Sequence, residues 1–446
     1  MDINRAVRWL RTESARWVKE GLIQEEQAQA IQALYPAPQA ARPWAVIIFS
    51  GLGAVIVGLG VILLFAYNWA AMPKAAKLGM ILTALIALHG SGIYLFLRHP
   101  RMKAVGESLT VAGTMFFGGG IWLIAQIYHI QEHFPTAFLI WGFGALLLAW
   151  ALPSVFQGVM AAALFAVWAG TEAAEFNAAT HLALPLLFGA LLPLAYRERS
   201  RVLLAVLLVG GGFTVAFVTG VATNEKTIFI SLLAYVVLAA GVGAVHRTSG
   251  KAPEFGKVYH VLAITTYMIL VYILSFGDAA EELLEMRLPT AGATMAYWGA
   301  LAAYWITPGI AALGVWVVVL ALLLRLPPAE REDRVPVDLW LVPGALLAAY
   351  ALTAVPGHVD EWVAAGPFNL ILLAHIASLM ARGVKKHAVS KVAYGAILLV
   401  FVAGARYVDL LQSLVARGLV FLLVGGALFA EGICYARGSR LDEEGE

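Results

Sequence analysis

The chain has 446 residues, of which 61% are hydrophobic and only 13% are charged, and it contains 43 glycines. A soluble domain carries about a quarter charged residues, so this composition excludes an ordinary soluble protein and indicates one that crosses a membrane many times. The net charge of +2, without a basic, aromatic-rich polar patch, gives no sign of nucleic-acid binding, and the single cysteine, Cys434, excludes an intrachain disulfide.

Residues 1–40 form the only sizeable polar region. Apolar side chains recur at helical spacing in its first half, Gly21 is typical of a helix C-cap, and a second helix is predicted over Glu25–Tyr35. We predict a short cytoplasmic helical hairpin. The basic residues of the first helix fit equally well with an amphipathic helix that lies on the membrane surface. The region lacks the apolar core of a cleavable signal peptide.

Fourteen apolar segments follow, and each is interpreted as one helical crossing of the bilayer. The predicted spans lie near 44–67, 75–97, 104–130, 134–152, 154–170, 178–196, 202–219, 227–246, 256–276, 303–325, 338–355, 361–381, 388–405 and 412–435. The predicted fold class is therefore all-α: a polytopic membrane helix bundle of about 14 transmembrane helices over residues 41–436, with the hairpin before it and an acidic cytoplasmic tail over 437–446.

The distribution of basic residues supports this count. If the N-terminus is cytoplasmic, the even-numbered connections also lie inside, where Lys and Arg are enriched. All but six of the 30 Lys and Arg residues fall in those inner regions, the exceptions being Lys74, Lys77, Lys226, Arg287, Arg406 and Arg417. Both termini are therefore predicted to be cytoplasmic. Residues 288–302, after the acidic outer segment Asp278–Glu285, are interpreted as a re-entrant or interfacial piece.

Two pairs of segments suggest an internal repeat. Leu139–Leu152 aligns with Leu339–Leu352, and the motif LLVGG occurs at 207–211 and again at 422–426. The members of each pair lie seven spans apart and so run in opposite directions. Inverted repeats are typical of secondary transporters, although the few residue types used in spans also produce such matches by chance. The repeat is therefore a hypothesis.

Short motifs in the first 150 residues occur in a specific combination: Gly21-Leu22-Ile23, Glu25-Glu26-Gln27, Ala66-Tyr67-Asn68-Trp69, Gly106-Glu107-Ser108-Leu109 and Ala125-Gln126-Ile127-Tyr128. With the glycine-rich first span, they make this part resemble a bacterial family of predicted membrane proteins, domain of unknown function 2157. The resemblance implies a multi-pass protein of the bacterial inner membrane and carries no established activity.

The sequence His129-Ile-Gln-Glu132-His133 fits the H-x-x-E-H pattern of some zinc enzymes. That chemistry needs both histidines on one face of a helix and a third ligand. Pro135 predicts that the helix ends near Phe134, and no third ligand is evident. We therefore expect no zinc here, and no motif indicates another cofactor.

Polar residues within or at the ends of spans are the candidate ligand or pathway residues: Glu107, Gln126, His129, Arg406, Asp409, Arg417, His89 and His375. Those at the outer span ends are either interfacial anchors or parts of an outward-facing pocket for a polar or anionic group. Those within spans either line a pathway or bond to a neighbouring helix. Span three is expected to connect Glu107 to the outer polar cluster, and Gly118–Gly120 allow it to bend or to receive another helix.

Three functions are consistent with this pattern. The first is transport or flipping of a small or lipid-linked molecule, the second a non-catalytic envelope scaffold or sensor, and the third a membrane-embedded enzyme acting on an envelope lipid or glycan. A deep cavity that reaches His89 and His375 favours transport, a shallow outer cleft beside Gln126, His129 and Arg406 favours an enzyme, and a solid bundle favours a scaffold. The expected partners are the lipid bilayer and a small-molecule or lipid-linked ligand.

Overall fold

The computed structural model describes residues 3–35, 72–130, 133–223, 227–250, 252–285, 306–355, 359–385, 387–409 and 421–431, together with the single positions 299, 302, 418 and 419. The chain divides into two compact units, residues 1–80 and residues 81–446.

The first unit begins with two helices, α1 over Ile3–Lys19 and α2 over Glu25–Ala33. Gly21 has a φ of 73° in the turn between them, a left-handed conformation that glycine adopts at low cost. The two helices pack together, and Gln32 Nε2 donates to the buried Ser14 Oγ at 2.8 Å. The position of this helix pair relative to a membrane remains a prediction.

The remaining helices follow in chain order: α3 over Lys74–Arg98, α4 over Lys103–Tyr128, α5 over Pro135–Ala151, α6 over Val155–Phe176, α7 over Leu192–Arg197, α8 over Arg201–Thr223, α9 over Ile228–Ser249, α10 over Pro253–Leu274, α11 over Gly277–Glu285, α12 over Thr307–Leu324, α13 over Pro328–Arg334, α14 over Leu341–Ala354, α15 over Glu361–Lys385, α16 over Val389–Asp409 and α17 over Phe421–Glu431. A π-helical stretch, Pro185–Leu191, leads into α7, and a 3₁₀ turn, Val337–Trp340, leads into α14.

The all-α prediction is confirmed, since the described residues contain helices and no strands. Among the described residues, ten helical stretches are long and apolar enough to cross a membrane. Three further predicted spans coincide with shorter apolar helices, namely α5, α17 and Pro185–Arg197. The predicted span 44–67 lies outside the described residues, as does nearly all of the proposed re-entrant segment 288–302. The total of fourteen and the inverted repeat therefore remain predictions.

Single residues with special backbone or capping properties set the ends of α4, α5 and α6. Helix α4 ends at Tyr128 because His129 is left-handed, with a φ of 56°, and the amide of His129 bonds to Ala125 O. The predicted end near Phe134 is therefore wrong, and Pro135 instead begins α5, where its missing N–H costs nothing. Ser154 caps α6 by accepting a hydrogen bond from the Gln157 amide.

Helix α9 lies at the centre of the second unit and packs against α8, α10, α12 and α14. Its buried face is rich in alanine and glycine, which lets neighbouring backbones approach closely. A methyl group on Gly241 would lie 2.8 Å from Val315 Cγ1. Trp316 Nε1 donates to Val237 O at 3.0 Å, so α12 is also joined to α9 by a polar contact.

The π-helical stretch Pro185–Leu191 was not predicted. Pro193 follows it, has no N–H for a carbonyl four residues earlier and would clash with that carbonyl in an unbroken α-helix. The wider π turn avoids this conflict. Trp150 Nε1 donates to Ala190 O at 3.0 Å and so satisfies a carbonyl in the irregular stretch.

The acidic segment Asp278–Glu285, predicted as an outer connection, forms helix α11 and packs against α14 and α15. It buries Ala280, Leu283 and Leu284, which lie on one helical face. The acidic residues between them concealed this apolar stripe in a scan for long apolar segments.

Gly118 provides the contact between α4 and α5. A methyl group there would lie 2.2 Å from ring carbons of Trp141, whose Nε1 donates to Thr114 O at 2.7 Å. The same addition at Gly119 meets nothing within 4 Å. Helix α4 runs unbroken through both positions, so the glycines receive a neighbouring helix and do not interrupt this one.

We expect Gly118→Ala to lower the free energy of unfolding by about 1–3 kcal/mol, as overpacking typically does. Gly119→Ala is the matched control and should be neutral or slightly stabilising, because alanine favours helix. The midpoint of thermal unfolding in a neutral detergent checks both. Equal midpoints for the two variants would show that Trp141 moves aside freely.

Candidate functional site

Two predicted residues, Glu107 and His89, belong to one chain of hydrogen bonds across α3, α4 and α6. Ser154 Oγ donates to Glu107 Oε1 at 2.6 Å, and Gln157 Nε2 donates to Thr114 Oγ1 at 2.9 Å. His89 Nε2 lies 3.4 Å from the same Thr114 hydroxyl. Ser154 joins the two halves by capping the Gln157 amide.

The His89 ring is held in a defined orientation. Its Nδ1 lies 3.1 Å from Leu85 O, which only accepts, so Nδ1 carries a proton. The ring covers Gly113, where a methyl group would lie 2.7 Å from His89 Cε1. Gln157 Oε1 is buried and has no hydrogen-bond partner among the described residues. These contacts fasten three helices together through polar groups within the apolar bundle.

Arg406 on α16 contacts two other helices, at the end of α10 and within the first part of α15. Its Nη2 donates to the Ser275 carbonyl, to Ser275 Oγ at 2.6 Å and to Asn369 Oδ1 at 3.2 Å. The guanidinium lies over the Phe276 ring at 4.0 Å. Asn369 Nδ2 also donates to Ser275 O at 2.8 Å. Arg406 on α16 therefore holds the end of α10 and the first part of α15.

The outer pocket predicted from Gln126, His129, Arg406, Asp409 and Arg417 is not assembled by these contacts. The described partners of Arg406 belong to α10 and α15, whereas Gln126 and His129 are exposed at the end of α4. The Asp409 side chain and the whole of Arg417 lie outside the described residues. A ligand role for these residues remains a prediction.

The histidines of the H-x-x-E-H pattern do not share a helix face, because His129 is the C-cap of α4 and His133 precedes α5. His133 Nε2 instead donates to Glu172 Oε2 at 2.7 Å, and Trp168 Nε1 donates to Glu172 Oε1 at 3.0 Å. Glu172 is buried and was not among the residues predicted from the sequence. In the described part of the chain, no three His, Cys, Asp or Glu side chains are grouped as metal ligands.

A cavity of about 340 Å³ lies among α10, α15, α16 and the 3₁₀ turn before α14. Most of its wall is apolar, with Met268, Leu372 and Phe401 among the lining residues. Two histidines, an aspartate and an arginine also line it: His260, His375, Asp338 and Arg382. A concave, mainly apolar site with a few convergent polar groups is typical of a small-molecule site.

Asp338 and Arg382 form an ion pair in this wall. Arg382 Nη2 lies 2.5 Å from Asp338 Oδ2, and the side chains are 22% and 10% exposed, respectively. Asp338 is held by the 3₁₀ turn before α14, and Arg382 lies near the end of α15. Asp338 Oδ1 and Arg382 Nε are buried and lack hydrogen-bond partners within the described chain. The pair therefore leaves one acceptor and one donor unused.

His375 extends the pair into the bundle. Tyr267 donates its hydroxyl hydrogen to Leu341 O at 3.0 Å, so its contact with His375 Nε2 at 3.2 Å requires that Nε2 donate. The other ring nitrogen, Nδ1, lies 4.0 Å from Asp338 Oδ2. His375 is thus placed between a fixed tyrosine and the buried carboxylate.

Arg247 lies at the edge of the same group. Its Nη2 donates to His260 Nδ1 at 3.3 Å, so Nδ1 carries no proton and the ring is neutral. Arg334 Nη1 donates to Arg247 O at 3.0 Å. Arg247 Nε is buried and without a partner in the described residues. The group of Arg247, Arg382, Asp338 and the neutral His260 therefore contains two cations and one carboxylate.

Of the candidates predicted from sequence whose side chains the structure describes, only His375 lines this cavity. Asp338, Arg382, Arg247 and His260 were missed because they lie near span ends, where charges are ordinary. The sequence contained one usable signal: Asp338 and Arg382 lie at the ends of consecutive predicted spans, on the same predicted side of the membrane. Their pairing depends on which helix faces meet.

Residues 15–158 match the family described as predicted membrane protein (DUF2157), which confirms the resemblance found in the sequence. No curated protein and no solved structure matches this chain. With its many apolar helices, the chain is a multi-pass membrane protein whose surroundings include a lipid bilayer. The hydrogen-bonded chain from Glu107 to His89 lies within the matched range, and the cavity lies outside it.

Proposed function

We propose that this protein transports or flips a small or lipid-linked molecule, and that the molecule binds in the cavity among α10, α15, α16 and the 3₁₀ turn before α14. The observation that carries the proposal is the buried Asp338–Arg382 pair, whose Oδ1 and Nε remain unpaired in a cavity wall.

The energetic cost of these groups supports a binding role. Removing a charge from water costs several kcal/mol per ion, and a buried pair often stabilises no better than apolar residues of similar volume. Ionisable groups within membrane spans usually mark a substrate or ion pathway. A scaffold needs only apolar packing here, whereas a binding site needs polar atoms that remain available to a ligand.

Helix α15 also supports a moving site. Pro367 lies inside it and removes one backbone hydrogen bond, which is a common cause of bending. His375 and Arg382 follow on the same helix, and Asn369, beside the proline, contacts Arg406. Interrupted helices frequently form transporter sites. In this proposal, bending at Pro367 changes access to the cavity.

The proposal includes a bacterial inner membrane with both termini cytoplasmic. The distribution of basic residues supports this orientation, since Arg247 and Arg382 lie at span ends assigned to the inner side. The polar end of the cavity then faces the cytoplasm.

Cysteine labelling tests access to the cavity. In a Cys434→Ser background, Leu379→Cys and Leu398→Cys introduce single thiols into the cavity wall. We expect both to react with a membrane-impermeant anionic methanethiosulfonate, because such reagents modify the ionised thiolate that water-filled sites permit. Vesicles of both orientations report whether access alternates between the two sides.

The matched control is Leu370→Cys, on the same helix as Leu379 and at a position that is 70% exposed on the bundle surface. We expect this lipid-facing thiol to remain unreactive. If the cavity thiols are equally unreactive from both sides, the bundle is solid and the transport proposal fails in favour of a scaffold. Reaction from one side only would contradict a pathway through the protein.

A further inference from the structure

We infer that the cavity binds the phosphate group of a phosphate monoester that carries an apolar chain. The inference rests on the proposed function of the cavity and names the chemical class of its ligand. Two independent features support it: the charge of the polar end and the composition of the remaining wall.

The charge of the polar end favours an anion. Arg247 and Arg382 are cations, Asp338 is the carboxylate within the cluster, and His260 is neutral because its Nδ1 accepts a hydrogen bond. The exposed neighbours Lys385 and Glu332 pair with each other at 3.4 Å. Arg247 and Arg382 therefore outnumber Asp338 in this group, and a poorly solvated cation is costly until an anion pairs with it.

The unpaired atoms favour a phosphate group over a carboxylate. Arg382 Nε is an unused donor, and guanidinium groups bind phosphate oxygens through charge-assisted hydrogen bonds. Asp338 Oδ1 has no hydrogen-bond partner within the geometric limits among the described residues and can accept a hydrogen from a ligand. A phosphate monoester that keeps one proton offers both an anionic oxygen and an O–H. Its second pKa is about 6, so the dianion predominates at pH 7, and a hydrogen bond to Asp338 Oδ1 would favour the protonated form. A carboxylate provides only acceptors.

The rest of the wall favours a ligand with an apolar part. Ile264, Met268, Leu372, Leu398 and Phe401 line the cavity beyond the charged group. Its volume of about 340 Å³ is larger than inorganic phosphate requires. A phosphorylated amphiphile places its head group at Arg382 and its chain against these side chains, whereas a free phosphate leaves the apolar wall uncovered.

The test measures protection of a cavity thiol. The Leu379→Cys variant, in the Cys434→Ser background and in a neutral detergent, is labelled with and without octyl phosphate below its micelle-forming concentration. We expect saturating octyl phosphate to slow labelling about tenfold, since occupancy by a ligand at ten times its Kd leaves about a tenth of the sites free. Inorganic phosphate, octanoate and octanol at the same concentration should protect several-fold less.

Protection should be lost when Asp338→Leu and Arg382→Met are added together. It should persist with Arg325→Met, which removes a cation at the exposed end of α12. Labelling without protection by octyl phosphate overturns the ligand class and leaves the transport proposal standing. If octanol protects as well as octyl phosphate, only the apolar wall binds the ligand. If inorganic phosphate protects fully, the ligand is free phosphate. Either result also overturns the inference. Absence of labelling defeats the transport proposal itself.

Discussion

Asp338→Leu is expected to lower the free energy of unfolding by about 3–5 kcal/mol, because it leaves Arg382 buried beside the cavity without its carboxylate. Asp338 is 10% exposed at its side chain, and Arg382 is 22% exposed, so water screens the remaining cation poorly. His375, 4.0 Å from the same carboxylate, also loses a polar neighbour. The midpoint of thermal unfolding in a neutral detergent measures the effect.

A second variant distinguishes the effect of removing both charges from the effect of removing only one. Asp338→Leu combined with Arg382→Met removes both charges, and we expect it to recover most of the lost stability, since apolar replacement of a buried pair is often neutral or stabilising. It should not recover ligand protection of the cavity. A double variant that is stable but no longer binds the ligand would show that the Asp338–Arg382 pair serves binding and not stability.

The exposed pair of Glu332 with Lys385 gives the matched control. These side chains are 54% and 69% exposed, so Glu332→Leu should change stability by no more than about 1 kcal/mol. If Asp338→Leu is as mild as Glu332→Leu, the buried pair is better hydrated than its surroundings indicate. In that case the energetic argument for a ligand at Arg382 is lost.

Arg406→Met is the second change with a large expected effect. Hydrogen bonds to a charged group contribute about 1.5–3 kcal/mol each, and the variant removes donors from Ser275 and Asn369 as well as the contact with the Phe276 ring. We expect a loss of at least about 1.5 kcal/mol. Arg406→Lys should recover only part of it, because one ammonium does not reproduce the planar geometry of a guanidinium.

The comparison with Arg325→Met identifies the cause. Arg325 is exposed at the end of α12, so its loss removes the same charge without breaking a joint between helices. Thermal unfolding midpoints of the three variants and the parent are compared. If Arg406→Met matches the parent, Arg406 does not hold the helices together, and its predicted role in an outer ligand site becomes the better explanation.

The sequence predicted individual helices well and their contacts poorly. Residues such as Val236 and Val237 on α9 lie in an apolar run that is recognisable from composition alone. The end of α4 at His129 and the π-helical stretch before Pro193 were missed, because they depend on single backbone conformations. Helix α11 was missed because its acidic residues conceal a short apolar stripe.

For the candidate site, the sequence identified His375 and Arg406 as unusual but did not identify their partners. Their neighbours Tyr267 and Ser275 are distant in the chain and ordinary in type. Asp338 and Arg382 were interpreted as charges near span ends, where such residues are common. Their burial became apparent only when the helices were packed together.

The sequence by itself determined that this is an all-α membrane protein with many spans, because a helix in lipid must satisfy its own backbone hydrogen bonds and so has a local apolar signature. The tertiary structure decided which polar groups meet. The contacts of Arg406 with Ser275 and Asn369, of Glu107 with Ser154, and of Asp338 with Arg382 depend on which faces of different helices pack together. Hydropathy measures how apolar a segment is, and it contains little information about which partner that segment will face.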